Sequence, residues 1–228
     1  KKMPIYWLPE ELIFPPIGGA DEDGVLALGG DLSPERLLLA YKNGIFPWYN
    51  EDEPIVWWAP NPRFVLYTKK LKVSKSMRSL IKKNAFKITI NTVFEEVITN
   101  CKTIRRNDQE GTWIDKEMKS AYTKLHRLGW VHSVEAWQNN ELVGGLYGVA
   151  IGKCFFGESM FAKKSNASKY AFIKFVEFLR NEGFQLIDCQ VHTPHLESLG
   201  AELIPISEFQ HYLKNCGEEK TAFERFTG

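Results

Sequence analysis

The stretch Leu186 to Val191, LIDCQV, sets the first condition on the fold. Leu186, Ile187, Cys189 and Val191 are apolar and the run has strand length, so it reads as a buried strand. Asp188 and Gln190 interrupt it. They stand two apart, which on a regular strand turns both side chains to one face. A carboxylate inside an apolar strand is costly unless it is paired or used. Two readings are open: a structural Asp, paired with a Lys or Arg or capping a nearby helix, and a carboxylate held for function.

The elements around this strand follow from turn and cap chemistry. Gly29-Gly30-Asp31 is a turn, and Ser33 caps a helix with Pro34 at its first position, running to Asn43 and ended by Gly44. Two aromatic clusters follow among prolines, GIFPWY from Gly44 and WWAPNPR from Trp57. Their rings are either held out rigidly by the prolines or form a joint between two domains. Beyond them, Arg63 to Tyr67 and Phe86 to Ile90 read as strands, and Val131 to Trp137, Asn139-Asn140 and Glu141 to Ile151 as a hairpin weakened by glycines. Lys153 to Met160 reads as another strand. Helices are expected at Lys75–Lys83, from Thr92 to near Arg106, at Lys116–Leu128 after an Asp115 cap, at Ala167–Asn181 capped by Asn166 or Ser165, near His195–Leu199, and at Ser207–Asn215. The tail from Glu218 reads as a loose surface segment. This order predicts an α+β fold with a mixed, mostly antiparallel sheet: a small domain over residues 1–62 and a larger one over 63–228.

Charge is unevenly spread along the chain. The net charge is only +1, yet residues 61–130 hold 16 basic and 6 acidic side chains, while residues 1–60 hold 4 and 10. A basic block of net +10 points to a polyanion partner, or else to solvated helix faces. Lys75, Arg78, Lys82 and Lys83 stand on one short helix whose apolar face is Met77, Leu80 and Ile81. The four Cys are scattered without a C-x-x-C pair, which argues against a zinc site or a disulfide framework and fits a reducing cytoplasm. No apolar run approaches the roughly 20 residues of a membrane span, and the N-terminus lacks the apolar core of a signal peptide. His192-x-x-His195 has no third ligand spaced for a metal. Gly144-Gly145-x-x-Gly148 lies inside a strand rather than opening a helix, so it is not a phosphate cradle.

LALGGDLSPERLLLAYKNGIFPWY (Leu26 to Tyr49), WWAPNPR (Trp57 to Arg63), GESMF (Gly157 to Phe161), and LIDCQV with SLGA (Ser198 to Ala201) occur in this order. Together they closely resemble the leucyl/phenylalanyl-tRNA–protein transferase family, over about residues 14 to 213. The resemblance implies transfer of Leu or Phe, and less well Met, from aminoacyl-tRNA to the N-terminal Lys or Arg of acceptor proteins, marking them for degradation. It implies an acetyltransferase-like (GNAT) C-terminal domain carrying a smaller N-terminal domain, with no metal and no small cofactor. The chain is expected to act in the cytoplasm as a monomer.

Carried over position by position, the resemblance makes Asp188, Gln190 and Glu158 catalytic. Asp188 would orient and polarise Gln190, whose carbonyl would accept from the attacking amine. Trp48 and Trp113 would hold the 3′ adenosine by stacking. Leu146, Phe155, Met160, Phe172 and Leu179 would form the aminoacyl pocket. Leu146 stands where the family has Met, Phe172 where it has Leu, and Leu179 where it has Phe, which leaves the Leu-versus-Phe preference open. Lys75, Arg78, Lys82 and Lys83 would meet the tRNA backbone. The residues bear this out chemically: an α-amine with a pKa near 8 needs little base catalysis, and positioning can supply much of the rate. Glu158 and Asp188 would favour a cationic acceptor, although Glu158 could instead be a strand-end carboxylate paired with Lys153 or Lys169. The rivals are an acyl-CoA N-acyltransferase, for which no coenzyme A pyrophosphate loop is found, a non-catalytic RNA-binding module, and the transferase acting on acidic N-termini, whose acceptor site would need cations.

Overall fold

A computed structural model describes residues 6–50, 52–103, 116–221 and 223. The first 58 residues contain β1 (Tyr6–Leu8), β2 (Val25–Gly29), α1 (Pro34–Lys42), β3 (Phe46–Pro47) and β4 (Val56–Trp58). The strands form a four-stranded sheet in the order β1-β2-β4-β3. The helix begins as its residues require: the Ser33 hydroxyl accepts from Arg36 N–H, Pro34 occupies the first turn, and Gly44 takes φ 77° at the exit. The sheet itself escaped the sequence reading, because its strands are two to five residues long and carry Gly, Pro and Trp rather than clean alternation.

The larger part continues with β5 (Arg63–Tyr67), α2 (Lys75–Lys82), β6 (Lys87–Ile90), α3 (Phe94–Thr103), α4 (Lys116–Arg127), β7 (Val131–Gln138), β8 (Glu141–Ile151) and β9 (Cys154–Ala162). Then come α5 (Ala167–Asn181), β10 (Leu186–Gln190), α6 (Pro194–Ser198), β11 (Glu202–Ile204) and α7 (Ile206–Asn215). Seven strands make one sheet in the order β11-β5-β10-β9-β8-β7-β6. Only β10 and β9 run parallel, as a connection through α5 requires. The mixed, mostly antiparallel α+β sheet expected from the element order is what the chain adopts.

Alternation along the strands gives this sheet two apolar faces. Phe156, Phe161 and Val149 join a core shared with α1, α3, α4, α7 and the small sheet. Phe155, Leu146 and Ile187 join a second core against α2 and α5. The glycines of β8 do not weaken it. A Cβ at Gly148 would lie 2.2 Å from the Phe156 carbonyl oxygen, and one at Gly144 would lie 2.7 Å from the Ala167 side chain. These positions let β9 and the start of α5 close onto the strand.

Two local expectations are corrected. Neither Ser165 nor Asn166 caps α5 through a side chain; Asn166 takes φ 67° and makes no side-chain cap bond. The tail is not loose where it is described. Lys220 bridges Ile151, the Thr221 hydroxyl donates to Gly152 O, and Phe223 is buried among Phe175, Phe178 and Phe184.

Candidate active site

Asp188 is buried, and the sequence alternative of a paired carboxylate is realised. Its partner is Arg63 at the start of β5. Arg63 Nε donates to Asp188 Oδ1 at 2.8 Å and Nη2 to Oδ2 at 2.7 Å, with the two side chains 0% and 1% exposed. The guanidinium lies between the rings of Phe46, 4.7 Å away, and Phe209, 4.8 Å away. One ion pair thus ties the small sheet, α7 and β10 to the same point.

Strict strand alternation does not carry from Asp188 to Gln190. Asp188 pairs with Val65 and Gln190 with Phe64, which leaves Cys189 as the extra residue of a bulge. Gln190 sits at φ 64°, a left-handed conformation that a side chain disfavours. Its backbone N–H donates to Asp188 Oδ1 at 2.9 Å and is thereby fixed. Asp188 therefore orients Gln190 through the main chain. The expectation that it polarises the Gln190 amide is corrected, because the amide nitrogen donates to another carboxylate.

The residue that holds the amide is Glu158. Gln190 Nε2 donates to Glu158 Oε1 at 2.8 Å. Glu158 also occupies a bulge: Tyr147 pairs with Ser159 and Gly148 with Gly157, and Glu158 is the unpaired extra residue between. Tyr41 of α1 donates to its Oε1 at 2.7 Å and Tyr122 of α4 to its Oε2 at 3.2 Å, and the two phenols touch each other. Glu158 pairs with neither Lys153, which donates to Glu182 O, nor Lys169. Burial pushes its pKa up to about 7 against the lowering effect of the tyrosine hydrogen bonds, and the Asp188 charge adds to the rise. Both tyrosines are pushed well above their usual range, by burial first and the Glu158 charge next. They are donors that stay protonated. The sequence reading missed Arg63, Tyr41 and Tyr122, which stand 125, 117 and 36 positions from the carboxylates they meet; the YKNGIFPWY and NPR segments held two of the three but gave no sign of their direction.

Glu158, Asp188 and Gln190 face a cavity of about 700 Å³, while Arg63, Tyr41 and Tyr122 stand behind them. Trp48 forms one wall beside Phe46 and Pro47, its ring 5.4 Å from that of Trp58, whose indole N–H donates to Trp48 O. Trp57 is fully buried instead, donating to Gly29 O, so the aromatic clusters serve both as wall and as joint. Leu146, Phe155, Met160 and Phe172 line the apolar side. Leu179, expected with them, is a residue of α5 fully buried in the second core and does not line the cavity. Trp113 lies outside the described residues. Among the described residues lining the cavity there are two carboxylates, Glu158 and Asp188, two histidines, and no Lys or Arg. Lys75, Arg78, Lys82 and Lys83 are all exposed on α2 or at its end. No group of three His, Cys, Asp or Glu side chains able to hold a metal occurs among the described residues, and none of the described helices is long and apolar enough to cross a membrane.

With this geometry in view, comparison with known proteins becomes specific. The family model described as leucyl/phenylalanyl-tRNA protein transferase matches residues 65–214, and that of its N-terminal domain residues 30–61. A relative from Flavobacterium johnsoniae named leucyl/phenylalanyl-tRNA–protein transferase is 57% identical over 211 residues, covering 92% of this chain and 100% of the relative. One of the same name from Syntrophobacter fumaroxidans is 56% identical, covering 91% and 88%. A solved aminoglycoside acetyltransferase from an uncultured soil metagenomic sample is a distant likeness, at TM-score 0.38 and 16% identity over 64% of this chain and 98% of that one. On the family models and the close relatives, the chain belongs to the leucyl/phenylalanyl-tRNA–protein transferase family.

Proposed function

We propose that this protein transfers Leu or Phe, and less well Met, from aminoacyl-tRNA to the N-terminal Lys or Arg of acceptor proteins, marking them for degradation. The observation that carries the reading is the meeting of two bulges, at Glu158 and at Cys189 next to Gln190, over a cavity with one apolar side and no Lys or Arg in its described lining. The apolar side made by Leu146, Phe155, Met160 and Phe172 suits the donor side chain. Trp48 offers a stacking face for the terminal adenosine. The exposed cations of α2 suit a phosphate backbone. In this proposal residues 1–62 form the domain that supplies Trp48 and Tyr41, and residues 63–228 the one that supplies the rest.

The chemistry is aminolysis of the ester joining the amino acid to the ribose. The acceptor amine attacks the carbonyl carbon, the C–N bond forms, and the C–O bond to the ribose breaks. One proton leaves the amine and one must reach the ribose oxygen. Gln190 Nε2 is committed to Glu158, so the Gln190 carbonyl oxygen remains to accept from the incoming amine and aim it. An amide is a poor place to leave a proton. Glu158, with a pKa near 7 and two phenols donating to it, can take the proton and return it to the leaving oxygen. Asp188 and Arg63 act as positioning residues. Because Asp188 is neutralised by Arg63, Glu158 is the carboxylate left to favour a cationic acceptor.

The test is direct. Purified protein, leucyl- or phenylalanyl-tRNA and a peptide beginning with Lys or Arg should give a product one residue longer. Peptides beginning with Ala or Glu should give at least about tenfold less, a discrimination of about 1.4 kcal/mol. Absence of the extended product would refute the activity, and equal use of all four peptides would refute the acceptor reading.

A further inference from the structure

We propose that Cys154 and Cys216 form an oxidation site: Cys216 reacts with a hydroperoxide, and Cys154 closes the product to an intramolecular disulfide. Neither residue lines the cavity described above. All four cysteines are thiols in the structure. These two stand far apart in sequence, and the fold brings them together at the turn between β8 and β9.

That turn is Gly152-Lys153, and the exit of α7 is docked on it. Cys216 follows the last residue of α7. Lys153 N–H donates to the Cys216 carbonyl oxygen, and Gly152 N–H donates to Glu219 O. A Cβ at Gly152 would run into the Cys216 carbonyl oxygen, so the glycine is what lets the helix exit come this close. The Cys216 Sγ lies 3.7 Å from Ile151 O, and Ile151 is the cross-strand partner of Cys154. Cys154 turns its side chain to the face of the sheet that packs on α7, together with Ile151, Phe156 and Phe209. The two thiols therefore point at each other. Their contact is the largest influence on both, raising the pKa of Cys154 and lowering that of Cys216.

The two sulfurs differ in access, which assigns their roles. Cys154 is buried, whereas Cys216 is half-buried and open to a small oxidant. The Cys216 S–H also has main-chain acceptors at Leu213 O, 3.2 Å away, and Gly217 O, 3.4 Å away. In the first step the Cys216 sulfur attacks one peroxide oxygen. An S–O bond forms, the O–O bond breaks, and the thiol proton leaves with the other oxygen as water or alcohol. In the second step the Cys154 sulfur attacks the Cys216 sulfenic acid. The S–S bond forms, the S–O bond breaks, and the Cys154 proton leaves with that oxygen as water. The two thiols give up two electrons, and the peroxide takes them. The bridge would staple the end of α7 to the start of β9 and close a loop on the order of 60 residues, long enough to raise stability.

The experiment uses the full chain, reduced and then freed of reductant. It is treated with hydrogen peroxide and mapped by mass spectrometry without reduction. The expected product is a single chain lighter by two hydrogens, with the peptides of Cys154 and Cys216 joined. Its melting midpoint should lie about 5 °C or more above that of the reduced chain. Cys154→Ala should stop at the sulfenic acid, so that dimedone labels Cys216 strongly where it labels the parent faintly. Cys216→Ala should abolish the bridge. If either variant fails to fold, the map and the melt of the unaltered chain decide alone. A pair that stays reduced while other residues of the chain are oxidised would overturn the proposal. So would a bridge to Cys101 or Cys189, or an oxidised form that melts below the reduced one.

Discussion

Replacing Arg63 by Met should destabilise the protein by about 3–5 kcal/mol, and replacing Asp188 by Leu in the same chain should restore most of that. The magnitude follows from burial. The side chains are 0% and 1% exposed, and the guanidinium meets both carboxylate oxygens at 2.7–2.8 Å. Removing the cation alone leaves a buried carboxylate whose desolvation nothing offsets. Removing both charges leaves apolar side chains between Phe46 and Phe209, a setting in which buried pairs are often replaceable without loss. In a chain of this size a kcal/mol moves the melting midpoint by about 2–4 °C. The single variant should therefore melt roughly 6–20 °C below the parent, the product of those two ranges. The double variant should melt within a few degrees of the parent, and the cycle should show a coupling of at least 2–3 kcal/mol, about the upper end for residues in direct contact. Circular dichroism melts and urea titrations measure this, and leucyl transfer to a Lys-led peptide measures turnover. Stability should return in the double variant while kcat does not, because Gln190 N–H has lost its acceptor at Asp188 Oδ1. A single variant within about 1 kcal/mol of the parent would refute the energetic argument. A stable double variant with full turnover would refute the positioning role of Asp188.

Glu158 titrates near 7 when folded and near 4.5 when unperturbed. The folded chain then binds more protons than the unfolded one between these values, so this group's contribution to stability falls as pH rises from about 4.5 to 7, and Glu158→Gln should remove that dependence in melts taken across the range. In transfer assays kcat/KM should climb through about pH 7 with Glu158 present, Glu158→Gln should lose that limb, and Tyr41→Phe, which deletes a hydrogen bond that lowers the pKa, should move it to higher pH. Neutralising Lys82 and Lys83 should leave kcat nearly unchanged and reduce the slope of log affinity for tRNA against log salt, by about 0.7–0.9 for each cation that meets a phosphate. Phe223→Ala should lower stability by about 3 kcal/mol in urea titrations, since its ring is buried against three phenylalanines.

What could be read along the chain was whatever neighbours decide. Ser33-Pro34 starts a helix and Gly44 ends it. Asn139-Asn140, both at positive φ, turn the hairpin. The short apolar run in RFVLY makes β5. The buried carboxylate of Asp188 was legible as a demand for a partner, but its partner lies 125 residues away and no local pattern selects Arg63 among 29 basic residues. The same holds for Tyr41 and Tyr122, which look like ordinary core positions on α1 and α4 until the bulge at Glu158 turns a carboxylate toward them. Bulges have no reliable signature in sequence, and this site is made from two of them. The tail was misread for a related reason: Phe223 stands among charged and small residues and finds its apolar surroundings only in three dimensions.

The left-handed backbone at Gln190 connects these parts. A non-glycine residue there costs of order 1–3 kcal/mol and persists only if its surroundings over-determine it. Three contacts do so. The N–H is held by Asp188, Asp188 is held by Arg63, and the side chain is held by Glu158 between two tyrosines. The kink so maintained ends the pairing of β10 with β9, and that ending opens the cavity between them. Arg63 thus reaches the chemistry without facing it. If the kink is released, the amide proposed to aim the amine is lost. Arg63→Met at a temperature where it remains folded should therefore lower kcat and raise KM for the peptide together, while KM for the aminoacyl-tRNA, proposed above to depend on Trp48, the apolar pocket and the cations of α2, should change little. A variant that raised both KM values equally would show instead that Arg63 supports the whole fold and not this one turn of the chain.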